Sequence, residues 1–462
     1  AVSMIDSDVL ESRPVSNVSQ ALQGQIPGLN MSISNSGGEL DATMNFNIRG
    51  AGTINSGSSS SPLVLIDGVE GDMNTLNPDD IESISVLKDA SSSSIYGARA
   101  AFGVILITTK SGKAGKVRVN YSGNVRFNDG IGIPKMANSY EFAKMFNAAN
   151  VNDGGTPIFN DAYLQNIKDY MDGKLTQSTV PNGSVWAKWN EGAYANTDWF
   201  DYYFKDRAIR HSHNISIQGG SDKTSYYVGL GYIYQEGLMD KVQDDLEKYN
   251  VNTKFSIRAT DWLKFNFNNN VSLSLLKRPL ANQTIFYGTI ANMSPSRVTK
   301  LPVEQAEYST PTWNEQLYLQ KAGYSQNRVS DAMSFSAIIT PLEGLEFVGE
   351  MKARLDVENN SFELRKGNYA LPNGSVMEVS GNKQGYHYPG MKWQNTQFGS
   401  LTRGSVFNYY LSPSVTGAYT RQWGDHFFKG MAGFQMELQE NSSEYMYKDG
   451  MLSEDIYSFD NA

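Results

Sequence analysis

From Val117 onward the chain alternates apolar and polar residues, and it keeps doing so almost to its end. Val117, Val119, Tyr121, Val125 and Phe127 fall on one parity, with Arg118, Asn120, Ser122, Asn124 and Arg126 on the other. The same rhythm returns in Tyr226, Val228, Leu230, Tyr232 and Tyr234 against Ser225, Gly229 and Gly231. It returns again in Leu263, Phe265, Phe267, Val271 and Leu273 against Lys264, Asn266, Asn268, Asn270 and Ser272. Period two puts successive side chains on opposite faces of a strand. Runs of about 9–11 such residues also match a tilted strand crossing the hydrocarbon layer of a membrane.

Nine strands are expected, near 117–127, 209–218, 224–234, 248–258, 263–275, 329–339, 345–357, 405–420 and 427–440. Tight turns follow every second strand (GGSDK, ATDW, TPLEG, QWGDH), and long segments follow the others. Short turns at one end and long loops at the other are the build of an outer-membrane barrel. Composition agrees: 26 Tyr, 21 Phe and 7 Trp sit in a chain of mean hydropathy −0.42, as apolar-outside, wet-inside walls require. The fold class is therefore mostly β, a transmembrane antiparallel β-barrel. Nine strands do not close such a barrel, and unpaired edges in hydrocarbon cost several kcal/mol per group, so the wall is expected to continue past Ala462 or in other chains. A barrel of about 22 strands is the width that takes a plug.

The first residues read differently. Pro62 to Val69 and Val104 to Thr109 are apolar runs suited to buried strands, and Ser16 to Leu22 suits a short helix. Asn77-Pro78-Asp79-Asp80 carries a cap, a proline and acids in helix-start order. Residues 1–115 are thus expected to form an α/β plug domain, and 116–462 the N-terminal portion of the barrel with long extracellular loops.

Several linked motifs of that first unit carry a family resemblance. Ile81 to Lys88, Ser94-Ile95-Tyr96-Gly97, Arg99 to Val104 and Ile107 to Lys110 resemble the plug of TonB-dependent receptors. Pro14 to Gly24, Pro27-Gly28, Pro62 to Val69 and Lys88-Asp89-Ala90 resemble the SusC/RagA-like transporters of Bacteroidota, as do His213 to Gly220 and Lys223 to Tyr227 more loosely. The resemblance implies TonB-dependent import of a nutrient, mainly an oligosaccharide with an oligopeptide as the alternative. It also implies outer-membrane localisation, a SusD-like surface lipoprotein as lid and the inner-membrane TonB complex as partner. The family's leader and TonB box would precede Ala1. A siderophore or cobalamin receptor, or a non-transporting surface binding protein, is the rival reading.

Within the plug, Arg49, Gly50, Asp67, Gly68, Lys88, Asp89, Tyr96, Gly97, Arg99 and Gly103 are the motif and gating candidates. Their charges are suited to ion pairs with the wall, and their glycines to turns and close contacts. Trp186, Trp189, Tyr194 and Trp199, in the first long loop, are offered as substrate contacts, since exposed rings stack on sugars; interfacial girdle positions are the equal alternative. Residues 139–149 have helical spacing and are expected to pack that loop.

Other chemistries find little support. A balance of 39 basic and 48 acidic residues gives no reason to expect nucleic acid, and the absence of cysteine excludes thiolate chemistry and Cys-based zinc sites. His211 and His213 share a strand face without a third ligand implied, and Asp240, Asp244, Asp245 and Glu247 lack calcium-loop spacing, reading as a solvated loop. Neither a nucleophile elbow nor a phosphate loop is present, so no catalytic residue, metal or cofactor is expected.

Overall fold

The computed structural model describes residues 2–7, 17–33, 39–40, 42, 44–48, 61–88, 96, 100–280, 283–299, 301, 319–365, 368–378 and 399–451. Two sheets dominate it. The first contains β1 (Val2–Asp6), β4 (Leu63–Ile66), β5 (Val69–Glu70), β6 (Ile81–Leu87) and β7 (Val104–Thr109), in the order β1-β6-β7-β4-β5. Strands β4 and β7 run parallel and the other pairs antiparallel. A separate hairpin pairs β2 (Leu29–Ile33) with β3 (Met44–Ile48).

All four residues of β4 are buried, because apolar side chains cover both faces of the sheet there. Val64, Ile66, Ile84, Val86, Ile105 and Ile107 pack on one side with helix α1 (Val18–Leu22), and Leu63, Leu65, Leu87 and Val104 pack on the other. Burial on both faces is what turns alternation into a continuous apolar run. The expected helix at Asn77–Asp80 does not develop. Its cap forms, with the Asn77 side chain accepting from the Asp79 amide, but Pro78–Asp80 is a single 3-10 turn and β6 begins at Ile81. The β-branched run that follows the acids favours a strand, and its Ile84 and Val86 complete the core.

The second sheet is the wall. It contains β8 (Gly115–Asp129), β9 (Arg207–Gly220), β10 (Thr224–Glu236), β11 (Asp245–Thr260), β12 (Leu263–Pro279), β13 (Ala322–Leu342), β14 (Leu345–Leu364), β15 (Ser400–Trp423), β16 (His426–Gln435) and β17 (Leu438–Lys448). Consecutive strands from β8 to β15 pair antiparallel, while β16 and β17 both pair with β15. These last two are one strand with a break: Ser414 faces Gln435 and Leu411 faces Leu438, the same register on either side of it. The break lies opposite Pro413, which has no N–H to give the ladder. The nine expected strands are thus all present, longer than alternation alone suggests. Among the described residues the sheet stays open, with its edges at β8 and at β16 and β17.

The apolar parity faces outward, where Val119, Tyr121, Leu230, Phe255, Phe335, Phe347 and Phe434 are exposed. The polar parity faces the first sheet. Asn266 donates to Ser336 and Asn268 to Ser334, lining that side with amides and hydroxyls. No helix among the described residues is long and apolar enough to cross a membrane; the strands supply the span.

Candidate functional site

The site is the seam where the first sheet meets the polar face of the wall. The β4–β5 hairpin supplies its deepest contact. Asp67 and Gly68 form the two-residue turn with φ of 46° and 85°, the left-handed values that a tight twisted hairpin demands. That turn aims the Asp67 carboxylate back at β7, where it accepts from the Thr109 amide at 3.0 Å and the Thr109 hydroxyl at 2.6 Å. Lys254 of the wall reaches in, its Nζ 2.8 Å from Asp67 Oδ1 and 2.7 Å from the Thr109 carbonyl oxygen. The Lys254 and Asp67 side chains are 11% and 7% exposed, so this ion pair is sheltered from water. Gly68 lies against the end of Lys352, where a Cβ on the glycine would sit 3.4 Å from the Lys352 Nζ.

Moving along the same loop, Arg354 donates to the Glu70 carbonyl and Arg328 pairs with Asp72 at 3.3 Å. Lys248 donates to Asn17 at 2.7 Å, and Asn250 to the Thr75 carbonyl at 2.6 Å. A polar cavity of about 220 Å3 opens here between the two sheets, with Asp72, Lys248, Gln326, Arg328 and Glu358 among its lining residues.

The 3-10 turn makes the third group of contacts. Asp79 accepts from Ser122 at 3.2 Å and from Asn214, which in turn accepts from Asn77. Asp80, buried at the turn's end, accepts from the Tyr227 hydroxyl at 2.7 Å. Burial pushes the Asp80 carboxyl up to about 6, against the pull of the Tyr227 hydrogen bond and the Lys110 charge, with Asp79 adding to the rise.

The sequence-derived candidates scatter over this map. Asp67 and Gly68 lie in the seam. Lys88 instead ties the first domain to itself, donating to Ser3 at 2.7 Å and to the Pro27 carbonyl. Gly103, at φ 95°, packs where a Cβ would fall 2.6 Å from Ile48 Cδ1, and Tyr96 packs beside Leu63 and Val104. Arg49, Gly50, Asp89, Gly97 and Arg99 lie outside the described residues. The wall residues Tyr227, Asn214 and Lys254, which hold the seam, are not recognisable as contacts from the sequence. Their lumen-side parity is the only signal, and it is shared with many neighbours.

The loop aromatics pack on one another. Trp199 is fully buried with Tyr203 and Phe286, its Nε1 donating to the Ser294 carbonyl at 2.9 Å. Trp186 is buried beside Val298 and Leu301, and Tyr194 against Tyr163. Trp189 is partly exposed and edges onto Phe142 and Phe146 of helix α2 (Ser139–Asn152), the helix expected from the spacing. Trp186, Tyr194 and Trp199 are thus buried in the cores of the long loops, and of the four rings Trp189 keeps a partly exposed edge. His211 and His213 stand on the outer face in a line of rings with Tyr121, Tyr232 and Tyr234. In the 237–244 loop Asp244 is half-buried rather than fully solvated, accepting from the Met239 amide; loss of water around it raises its carboxyl to about 6. No group of three or more His, Cys, Asp and Glu able to hold a metal occurs among the described residues.

A strand wall apolar outside and polar inside, with a compact α/β unit seated on its inner face, defines an outer-membrane β-barrel protein with an internal plug. The family model of the TonB-dependent receptor plug domain matches residues 1–104. TonB-dependent receptor P26 of Formosa agariphila is 32% identical over 277 residues, 59% of this chain and 25% of that protein. TonB-dependent receptor SusC of Bacteroides thetaiotaomicron is 32% identical over 279 residues, 58% of this chain and 24% of that one. Among solved structures, the RagAB peptide transporter matches with a TM-score of 0.73 at 23% identity, over 100% of this chain and 50% of that one, which shows the shared fold. Residues 1–104 thus carry the plug domain of TonB-dependent receptors, and over 58–59% of its length the chain is similar to outer-membrane TonB-dependent receptors, SusC among them. The chain spans about a quarter of the length of the curated relatives it matches.

Proposed function

We propose that the protein imports an oligosaccharide across the outer membrane, driven by the inner-membrane TonB complex and capped outside by a SusD-like surface lipoprotein. The observation that carries the reading is the polar seam. The plug fills the inner face of the wall through ion pairs and amide bonds that water can replace, so the channel is closed at rest yet can be opened by a pull. The domains divide at about residue 115: the preceding residues form the plug, and 116–462 the wall with its extracellular loops. Asp67, with Gly68 in its turn, acts as a gating contact, and Arg49, Asp89 and Arg99 are proposed for the same role. Trp189, partly exposed among the loop aromatics, is the ring best placed to meet substrate. Amide- and hydroxyl-lined wall rows such as Asn266–Ser336 and Asn268–Ser334 suit a ligand made of hydroxyl groups.

An oligopeptide is the second reading. The cavity lined by Asp72, Lys248, Arg328 and Glu358 presents both charges, as a zwitterionic chain would require, and the RagAB structure of like fold is that of a peptide importer. Uptake of labelled glycans and labelled peptides by deletion and complemented strains, with and without a functional TonB, separates the two. Glycan uptake lost on deletion and on loss of TonB supports the proposal; peptide uptake alone would replace the substrate; uptake indifferent to TonB would overturn the mechanism.

A further inference from the structure

Gly229 and Gly231 occupy alternate positions on the lumen side of β10, and neither takes a left-handed φ that would call for glycine. A glycine inside a strand forfeits side-chain packing, so its presence asks what approaches it. Here the plug's 3-10 turn approaches both. A Cβ on Gly229 would fall 2.2 Å from Asp80 Oδ1 and 3.0 Å from its Cγ. A Cβ on Gly231 would fall 2.5 Å from Asn77 Nδ2 and 3.0 Å from Asn214 Oδ1. Gly323 in β13 and Gly349 in β14, on the outward parity, have open space there, and other wall glycines that are closely approached, Gly219, Gly404 and Gly433, meet side chains of the wall itself, whereas Gly229 and Gly231 meet the plug.

Around the gap the wall supplies matching polar groups: Ser122 and Asn214 donate to Asp79, and Tyr227 donates to Asp80. We infer that Gly229 and Gly231 form a notch in the wall that receives the Asn77–Asp80 turn and sets where the plug seats. The recognition is by shape as well as by hydrogen bonds. The ion pair of Asp67 tolerates small shifts through the flexible Lys254 stem, whereas the turn enters a gap bounded by backbone. This rests on the reading of residues 1–115 as a plug that closes the wall, and it adds the wall positions that set its place.

The test uses the intact protein in its native outer membrane, carrying Gly229→Ala, Gly231→Ala, Asp80→Ala, Asp80→Glu or Gly349→Ala, with Gly229→Ala and Asp80→Ala also combined. Leak is read as sensitivity to a large antibiotic the membrane normally excludes and as resting conductance of the purified protein in planar bilayers. Heat-modifiable gel migration reports whether the barrel has folded. Gly229→Ala is expected to raise leak by about 10-fold, since inserting a methyl into a filled gap displaces the turn. With Asp80→Ala, which removes the obstructing carboxylate, Gly229→Ala should add little further leak; Gly349→Ala should stay sealed. Asp80→Glu pushes a longer carboxylate into the same gap from the plug side and should leak with the wall sequence intact, so a folding failure of the glycine variants leaves the inference exposed to refutation. A sealed Gly229→Ala or a sealed Asp80→Glu would overturn it, as would a double variant that leaks by the full product of its parts. None of these readouts involves substrate or TonB, so failed import would count against the proposed function alone.

Discussion

Lys254→Met should loosen the plug without harming the wall. The substitution keeps most of the side chain's stem and removes the ammonium that satisfies Asp67 Oδ1 and the Thr109 carbonyl. Breaking a buried ion pair from one side costs about 3–5 kcal/mol, because the remaining charge stays desolvated. Asp67 retains two donors from Thr109, which places the cost near the lower end. About 3 kcal/mol corresponds to roughly a 100-fold shift in the equilibrium between seated and unseated plug. Planar-bilayer conductance of the purified protein measures that shift, with heat-modifiable migration reporting the barrel. The companion is Asp67→Asn, which keeps a residue that tolerates the positive φ and removes the charge. Combining it with Lys254→Met removes both charges together, and the double variant should leak less than Lys254→Met alone, since an uncharged buried pair escapes most of the penalty. A sealed Lys254→Met, or a double variant whose leak equals the product of the singles, would refute the assignment of Lys254 to the latch.

Seating should also depend on pH through Asp80. Its carboxyl is raised from 3.8 to about 6 in the seated plug, so this contribution is fully present below about 4 and is lost as pH rises through 6. Two units amount to about 3 kcal/mol; resting conductance should fall on acidification from pH 7 to pH 5, and Asp80→Asn should flatten the profile. Tyr227→Phe removes the donor to that buried carboxylate, a loss of about 1–3 kcal/mol, and should move leak in the same direction as Lys254→Met. Trp199→Ala should cost about 3–5 kcal/mol in the loop cluster with Tyr203 and Phe286, read as faster protease cleavage of surface loops on intact cells, with conductance unchanged. Asp244→Asn should protect the 237–244 loop from the same protease at neutral pH, because it removes a half-buried charge whose carboxyl resists ionisation.

Parity makes the wall legible and hides the seam. Phe265, Phe267 and Val271 alternating with Asn266, Asn268 and Asn270 announce a strand and its lipid side, because only one environment rewards each parity. The signal fades where both faces become polar, which is why β13 and β14 run past the alternating stretch into Gln326, Asn327, Asn359 and Asn360. Nothing local marks Lys254 among Lys248, Asn250 and Asn252, since its partner Asp67 lies 187 residues away and the turn that aims it is set by another domain. Tyr227 is hidden by Tyr226, an adjacent ring of opposite parity and opposite fate. The loop tryptophans mislead for a related reason: a long connection rich in rings can present them or fold around them, and Phe142, Phe146, Phe159 and Trp189 fold around one another.

The contrast between the plug's interior and its border says where a pull would act first. Inside, Ile81, Ile84, Ile105 and Ile107 are almost completely buried, each worth about 1.5–3 kcal/mol that water does not return on exposure. At the border, the described contacts are mostly hydrogen bonds and ion pairs, among them Asn250 to Thr75, Lys248 to Asn17 and Arg328 to Asp72. Water offers each of those groups a substitute, so a single bond there nets only about 0.5–1.5 kcal/mol once the seam is wet. An apolar contact does cross it, where Leu40 packs with Leu246, Leu276 and Tyr324 of the wall. The cavity beside Asp72 and Arg328 already separates the two sheets over part of the border. Force applied to the plug therefore meets a brittle, hydratable seam before it meets a cohesive core, and the sheltered exceptions, Lys254 with Asp67 and the turn between Gly229 and Gly231, are the contacts that decide how hard the pull must be.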